Sequence, residues 1–144
     1  FALMKNYKIL ITIDADDQHP VEKIPDFINK INSGNSLVIG KRSQTNRYIE
    51  NIFALISKYF WGIEDPLCGM KAYEANTVRE LREFNTYNSI GTELSFRIVK
   101  KGHKFENLNI YVKERSGSSR MGSNILTSIN ILKSLFLSFM IKNI

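Results

Sequence analysis

Asp14-Ala15-Asp16-Asp17-Gln18 gathers three carboxylates and an amide oxygen within five residues. Asp14 and Asp16 are two apart, so in extended backbone they project to the same side. Hard oxygen ligands of this kind suit Mg²⁺ or Mn²⁺ held jointly with phosphate oxygens. An acidic turn that only caps a following helix has the same composition, and the motif alone leaves both readings open. A second group is cationic: Lys41, Arg42 and Arg47, then Lys113, Arg115 and Arg120, the last two in a Gly/Ser loop. Lys100, Lys101 and Lys104 end an amphipathic stretch, where cations complement a helix dipole. Twenty Lys and Arg against fourteen Asp and Glu give a net charge of +6. That balance favours anionic partners such as nucleotide phosphates, acidic lipid headgroups or nucleic acid. No recognisable nucleic-acid motif accompanies it, so no nucleic-acid partner is expected.

The elements needed to hold these side chains are legible from apolar spacing. Ile9, Leu10, Ile11 and Ile13 form a run, within Tyr7 to Ile13, that reads as a buried central strand ending at Asp14. Ligands of open α/β sheets bind beyond the carboxyl ends of the strands, which is where Asp14 and Asp16 fall. Ile24, Phe27, Ile28 and Ile31 follow helical spacing after Pro20 and Pro25, and Ser33-Gly34-Asn35 stops that helix. Ser36 to Ile39 reads as a second buried strand, with Gly40 opening a basic loop. Ile49, Ile52, Phe53, Ile56 and Phe60 predict one face of a helix from about Tyr48 to Trp61. Cys68 to Tyr73 is compatible with a strand, and Asn76 with the cap of a short helix through Leu81. Thr92 to Lys101 predicts a helix carrying Leu94, Ile98 and Val99 inward, before a last strand from Phe105 to Val112. Strands alternating with helices imply an α/β layered sheet.

At 144 residues the chain is long enough for one domain with a genuine core. A single cysteine, Cys68, rules out an internal disulfide and a cysteine-based zinc site. The chain begins with Phe1, inside an apolar stretch, which suggests a piece of something longer.

Taken together, several segments resemble one family. Asp14-Ala15-Asp16-Asp17-Gln18-His19-Pro20 is similar to the Asp-Ala-Asp-x-Gln-His-Pro signature of family 2, GT-A type glycosyltransferases that act on polyprenyl phosphates, the dolichol-phosphate mannose synthase group. Val38 to Arg42 resembles the strand and basic turn that follow in that family. Asp65-Pro66-Leu67-Cys68-Gly69-Met70-Lys71-Ala72-Tyr73 resembles its Asp-x-x-x-Gly-x-(Lys/Arg)-x-Tyr segment. The helix ending Lys101-Gly102 and the loop Arg115-Ser116-Gly117-Ser118-Ser119-Arg120 complete the order. The haloacid-dehalogenase phosphatases also place Asp-x-Asp after a buried strand, but they carry a hydroxyl residue where Gln18 stands.

The resemblance implies a C-terminal part of a GT-A domain over residues 1–122, followed by residues 123–144 as an amphipathic segment. It implies Asp16 and Gln18 as metal ligands for Mg²⁺ or Mn²⁺, and Asp14 as a support or ribose contact. Arg42 and Arg115 would neutralise the phosphates, Lys71 and Arg120 would bind substrate, and Asp65 would orient the acceptor or act as a base. The donor would be a nucleotide-sugar, and the family's early base-binding segments have no counterpart here. An acidic pair that many relatives place near Thr92 is reduced to Glu93 in Ile90-Gly91-Thr92-Glu93. A lipid monophosphate, with a second pKa of about 6, is already anionic and needs no base, so this departure favours a polyprenyl-phosphate acceptor over a sugar hydroxyl. Single displacement would invert the anomeric centre. Without the family's early base-binding segments the chain alone is expected to be inactive. The alternatives are a truncated, non-catalytic relative acting as a membrane-associated interaction domain, and a family 2 glycosyltransferase with a sugar-hydroxyl acceptor.

From Ile125 to Ile141 the chain is mostly Ile, Leu, Phe and Met, with Thr127, Asn130, Ser134 and Ser138 as a polar stripe. It falls short of the roughly 20 apolar residues of a spanning helix. An interfacial helix, with Ile125, Ile129, Leu132, Phe136 and Met140 toward the cytoplasmic face of a membrane, is one expectation; a cover for the core is the other.

Overall fold

The computed structural model describes residues 2–43, 48–81, 91–113 and 125–140. Four strands form one mixed sheet: β1 (Ile9–Thr12), β2 (Leu37–Arg42), β3 (Lys71–Glu74) and β4 (Phe105–Ile110). Their order is β1-β3-β2-β4. β3 runs antiparallel to both β1 and β2, while β2 and β4 are parallel. Thr12 and Ile39 both face Lys71 in the ladder. The segment leading into β3 therefore lies beyond the carboxyl ends of β1 and β2, and this one antiparallel insertion assembles the site.

Five helices flank the sheet: α1 (Ile24–Asn32), α2 (Tyr48–Trp61), α3 (Ala75–Glu80), α4 (Thr92–Lys100) and α5 (Ile125–Met140). Alternation along β2 feeds two cores, as a strand buried on both faces must. Leu37 and Ile39 pack with Phe53, Leu94, Phe96, Ile98, Ile131 and Leu135 from α2, α4 and α5. Val38 points to the opposite face, where Phe27 and Ile31 of α1 meet Met70, Ala72 and Ile110. Phe53 stacks on Phe96 at 6.1 Å, and Trp61 meets Phe96 edge-on at 4.9 Å. The architecture is α/β with helices on both faces, as expected.

Several expectations change. β1 is an edge strand of this sheet, only half-buried along its length, rather than a central one. An apolar run signals contact on both faces but not which strands flank it. β2 continues through Gly40, Lys41 and Arg42, because the parallel ladder with β4 holds Arg42 opposite Ile110. Asn76 lies inside α3 and accepts from Arg79, while Glu74 precedes the helix without a side-chain cap bond.

Helix α5 joins the main core. Ile131, Ser134, Leu135 and Ser138 turn inward, and Lys100 donates to the Ser138 carbonyl at 2.6 Å, satisfying a helix-end acceptor. Ile129, Leu132, Phe136 and Met140 face outward, each at least 46 % exposed. On α2, Leu55, Tyr59 and Phe60 are also exposed, and Phe60 meets Phe139 at 5.2 Å, so the two helices share an apolar surface.

Candidate functional site

Two turns meet at the carboxyl ends of β1 and β2. The first follows β1. It is not extended: Asp17 adopts φ 58, and the Gln18 amide donates to Asp16 Oδ1 at 3.2 Å. The same-side argument for Asp14 and Asp16 therefore lapses, since a local turn bond orients Asp16 instead. Gln18 is tied to the end of β4 through its side chain, donating to the Lys113 carbonyl at 3.2 Å, and through its carbonyl, accepting from the Lys113 amide at 3.0 Å. Arg115 and Arg120, the two cations expected on the following loop, lie outside the described residues.

Asp14 bends toward β3. Its Oδ2 lies 3.1 Å from His19 Nε2, and its side chain remains 48 % exposed. The hydrogen bond to His19 lowers the Asp14 pKa against partial burial, with the charges of Lys71 and Arg42 adding to the effect. His19 itself is buried, and its Nδ1 is without a hydrogen-bond partner among the described residues.

The second turn, Asp65 to Met70, is far more enclosed. Asp65 is 3 % exposed and accepts from Arg42 three times: from Nε at 2.7 Å, from Nη2 at 2.9 Å and from the Arg42 amide at 3.2 Å. Glu50, in the first turn of α2, takes a further bond from Arg42 Nη2 at 3.1 Å. Burial works against the Arg42 charge, but the bonds to Asp65 and the charge of Glu50 outweigh it and raise the guanidinium pKa. Both Asp65 oxygens are engaged, a geometry that suits orientation better than proton abstraction. Cys68 stays a thiol, pushed up to about 11 by burial and by Asp65.

Lys71, expected to bind substrate, is enclosed. It is 1 % exposed, and its Nζ donates to the Pro66 carbonyl at 3.0 Å, which also accepts from Thr92 Oγ1 at 3.1 Å. Burial pulls its pKa down to about 8. Lys71 thus braces the second turn against α4 from beneath. Beside the Arg42–Asp65 pair lies a cleft of about 420 Å³, lined by Lys41, Arg42, Ser43, Asn51, Ala54, Glu64 and Asp65. Glu64 pairs with Lys41 and with Lys58, so the rim is close to charge-balanced.

The structure brings Asp14, Asp65, Arg42 and Lys71 to one end of the sheet, with Asp16 and Gln18 on the adjoining turn. Glu50 could not be singled out from the sequence, because on a helix surface it looks like any solvated acid. His19 and Gly69 lay within the motifs, but nothing in their spacing announced that both touch Asp14. Among the described residues no three carboxylate, imidazole or thiol groups converge as a metal cage. Asp16, on the adjoining turn, offers a hard oxygen of the kind that suits an ion completing its coordination with phosphate, not an all-protein site.

No family model matches the chain. It is 27% identical to a dolichyl-phosphate hexose transferase of Haloferax volcanii, over 78% of this chain and 54% of that protein. It is 24% identical to an undecaprenyl-phosphate mannosyltransferase of Micrococcus luteus, over 88% of this chain and 58% of that one. The chain thus spans about half the length of these curated relatives. A solved structure of glucosyl-3-phosphoglycerate synthase from Mycobacterium tuberculosis, in complex with Mn²⁺, uridine-diphosphate-glucose and phosphoglyceric acid, superposes with a TM-score of 0.69. That match covers 98% of this chain and 53% of the synthase at 15% identity, and it establishes the fold as GT-A.

Proposed function

From a chain homologous to polyprenyl-phosphate glycosyltransferases and built on the GT-A fold, we propose that this protein is the catalytic C-terminal part of an inverting, metal-dependent sugar transferase. Its donor is a nucleotide-sugar and its acceptor a polyprenyl phosphate. The observation that carries the reading is that Asp14 sits on Gly69, in the turn that also carries Asp65, so the Asp14–Gln18 turn adjoins the segment whose Asp65 pairs with Arg42 beside an open cleft.

Asp16 and Gln18 are the residues to hold a divalent ion, with Asp14 supporting the site or contacting the ribose. The Mn²⁺ that accompanies the nucleotide-sugar in the Mycobacterium tuberculosis synthase supports that expectation. Such an ion supplies electrostatic stabilisation of the departing diphosphate. Arg42, at the cleft and oriented by Asp65 and Glu50, is expected to face those phosphates, and Arg115 and Arg120, which follow Lys113 in the sequence, are expected to add further cations. Asp65 fixes the direction of the Arg42 guanidinium. An acceptor phosphate oxygen attacks the anomeric carbon as the bond to the diphosphate breaks, inverting that centre. An anionic phosphate has no proton to lose, consistent with an Asp65 committed to Arg42.

The shared outward surface of α2 and α5 supports residence at a membrane, where such an acceptor lies. The exposed apolar side chains of α5 suit an interfacial seat. No helix of the described residues is long and apolar enough to cross a bilayer.

The test joins this chain to the nucleotide-binding half of a relative and measures transfer with Mg²⁺ or Mn²⁺. Asp16→Asn is expected to abolish transfer to polyprenyl monophosphate, and the free alcohol to accept nothing. Wild-type turnover by the variant would refute the metal assignment, and equal rates with both acceptors the phosphate preference. Flotation with anionic liposomes is expected for the wild type and lost in Leu132→Glu/Phe136→Glu; equal flotation would remove α5 as the anchor.

A further inference from the structure

We propose that Gly69 is a positioning residue: the space left by its missing side chain seats the Asp14 carboxylate, and His19 locks it there. What Asp14 then does rests on the transferase reading; the clamp itself does not. A Cβ built on Gly69 would stand 2.2 Å from Asp14 Oδ2, 2.3 Å from Cγ and 2.4 Å from Oδ1. The whole carboxylate lies over the glycine, closer than any side chain permits. Gly69 does not use the left-handed backbone that glycine usually serves, so the requirement at this position is room.

His19 closes the other side. An ionised carboxylate only accepts, so Nε2 carries the hydrogen in the 3.1 Å contact with Asp14 Oδ2. The imidazole is 5 % exposed, while the carboxylate it grips is half open to solvent. An otherwise free side chain is thereby oriented before any ligand arrives. The seat is also fixed to the strand that delivers Asp14, because Thr12 Oγ1 donates to the Gly69 carbonyl at 2.9 Å. Asp14 therefore takes its position from the turn that carries Asp65.

The collision that Gly69→Ala introduces is with the end of a half-exposed side chain, which can swing away. The variant is expected to fold and to expel the carboxylate. The chain has two histidines, so long-range ¹H–¹⁵N spectra of the full chain report on His19 directly. In Gly69→Ala the His19 ring resonances are expected to move to those of Asp14→Ala. Adding Gly69→Ala to Asp14→Ala should change neither the spectrum nor the melting temperature. Unchanged His19 resonances in Gly69→Ala overturn the proposal, as does an equal melting shift with and without Asp14. Should Gly69→Ala alone fail to fold, the double variant decides: folding supports the clamp, and failure overturns it. In the transfer assay Gly69→Ala is expected to lose about a hundredfold in kcat, with no further loss on adding Asp14→Ala. A wild type that transfers no sugar would sink the transferase reading and leave the spectroscopic result standing.

Discussion

The two turns at the site are built on opposite principles. The turn after β1 is the more open of the two: Asp14 keeps about half of its side chain in water, and the partly buried Asp16 accepts from the Gln18 amide. The turn before β3 holds Asp65 and Lys71 in near-complete burial, each with its polar atoms engaged. The buried turn is a preassembled wall whose electrostatics are settled within the protein. The open turn keeps hard oxygens within reach of a ligand. Its buried anchor, His19, bonds Asp14.

That contrast breaks first at Asp65. Asp65→Ala leaves the Arg42 guanidinium partly buried beside Glu50 alone, and is expected to destabilise the fold by about 3–5 kcal/mol in urea melts. Asp14→Ala, with half its side chain in water, is expected to stay within about 1 kcal/mol. Comparable losses would erase the distinction. Next comes Gly40, whose added Cβ would lie 2.9 Å from Cys68 Sγ and 2.9 Å from the Met70 carbonyl. These neighbours are buried or backbone, so Gly40→Ala is expected to cost about 1–3 kcal/mol by overpacking.

Lys71 sharpens the contrast through pH. Its folded pKa of about 8 lies below its ordinary 10.5, so between those values the unfolded chain binds the additional proton. Stability tied to Lys71 is therefore fully present above 10.5 and lost as pH falls through 8. Lys71→Met removes that dependence, and Thr92 still serves the Pro66 carbonyl. Relative to wild type the variant is expected to fare best below pH 8, and to lose ground progressively as pH rises toward 10.5. A pH-independent difference would mean that the amine is not desolvated. The smallest effect is on the open turn: Asp16→Asn is expected to shift stability by less than about 0.5 kcal/mol.

Much of the scaffold was legible in the sequence. Ile24, Phe27 and Ile31 predicted α1, and the apolar spacing from Ile49 to Phe60 predicted α2 with its ends, because helical period is a local property. Strand order was not legible. The apolar run of β1 cannot say that β3 pairs with it from across the chain, nor that its other side is an edge. Lys41 and Arg42 looked like loop because their charge hid the ladder with β4. That Asp65 and Glu50 would pair with Arg42, and that the core would enclose Lys71, was not legible either. Partners brought together by folding leave no trace in spacing.

The span of chain closed by each half of the site sets an order for their formation. Arg42 meets Asp65 across 23 positions, whereas Thr12 meets the Gly69 carbonyl across 57. Loop-closure entropy makes the longer contact harder to form by about 0.8 kcal/mol, before any stabilising contact offsets it. The Asp65 half can thus assemble while β1 is still searching for β3, and the Asp14 half completes only on that late, non-local pairing. In pulse-labelled hydrogen exchange the amide of Arg42 should gain protection before those of β1, so a refolding chain passes through a stage with its wall built and its open turn not yet delivered.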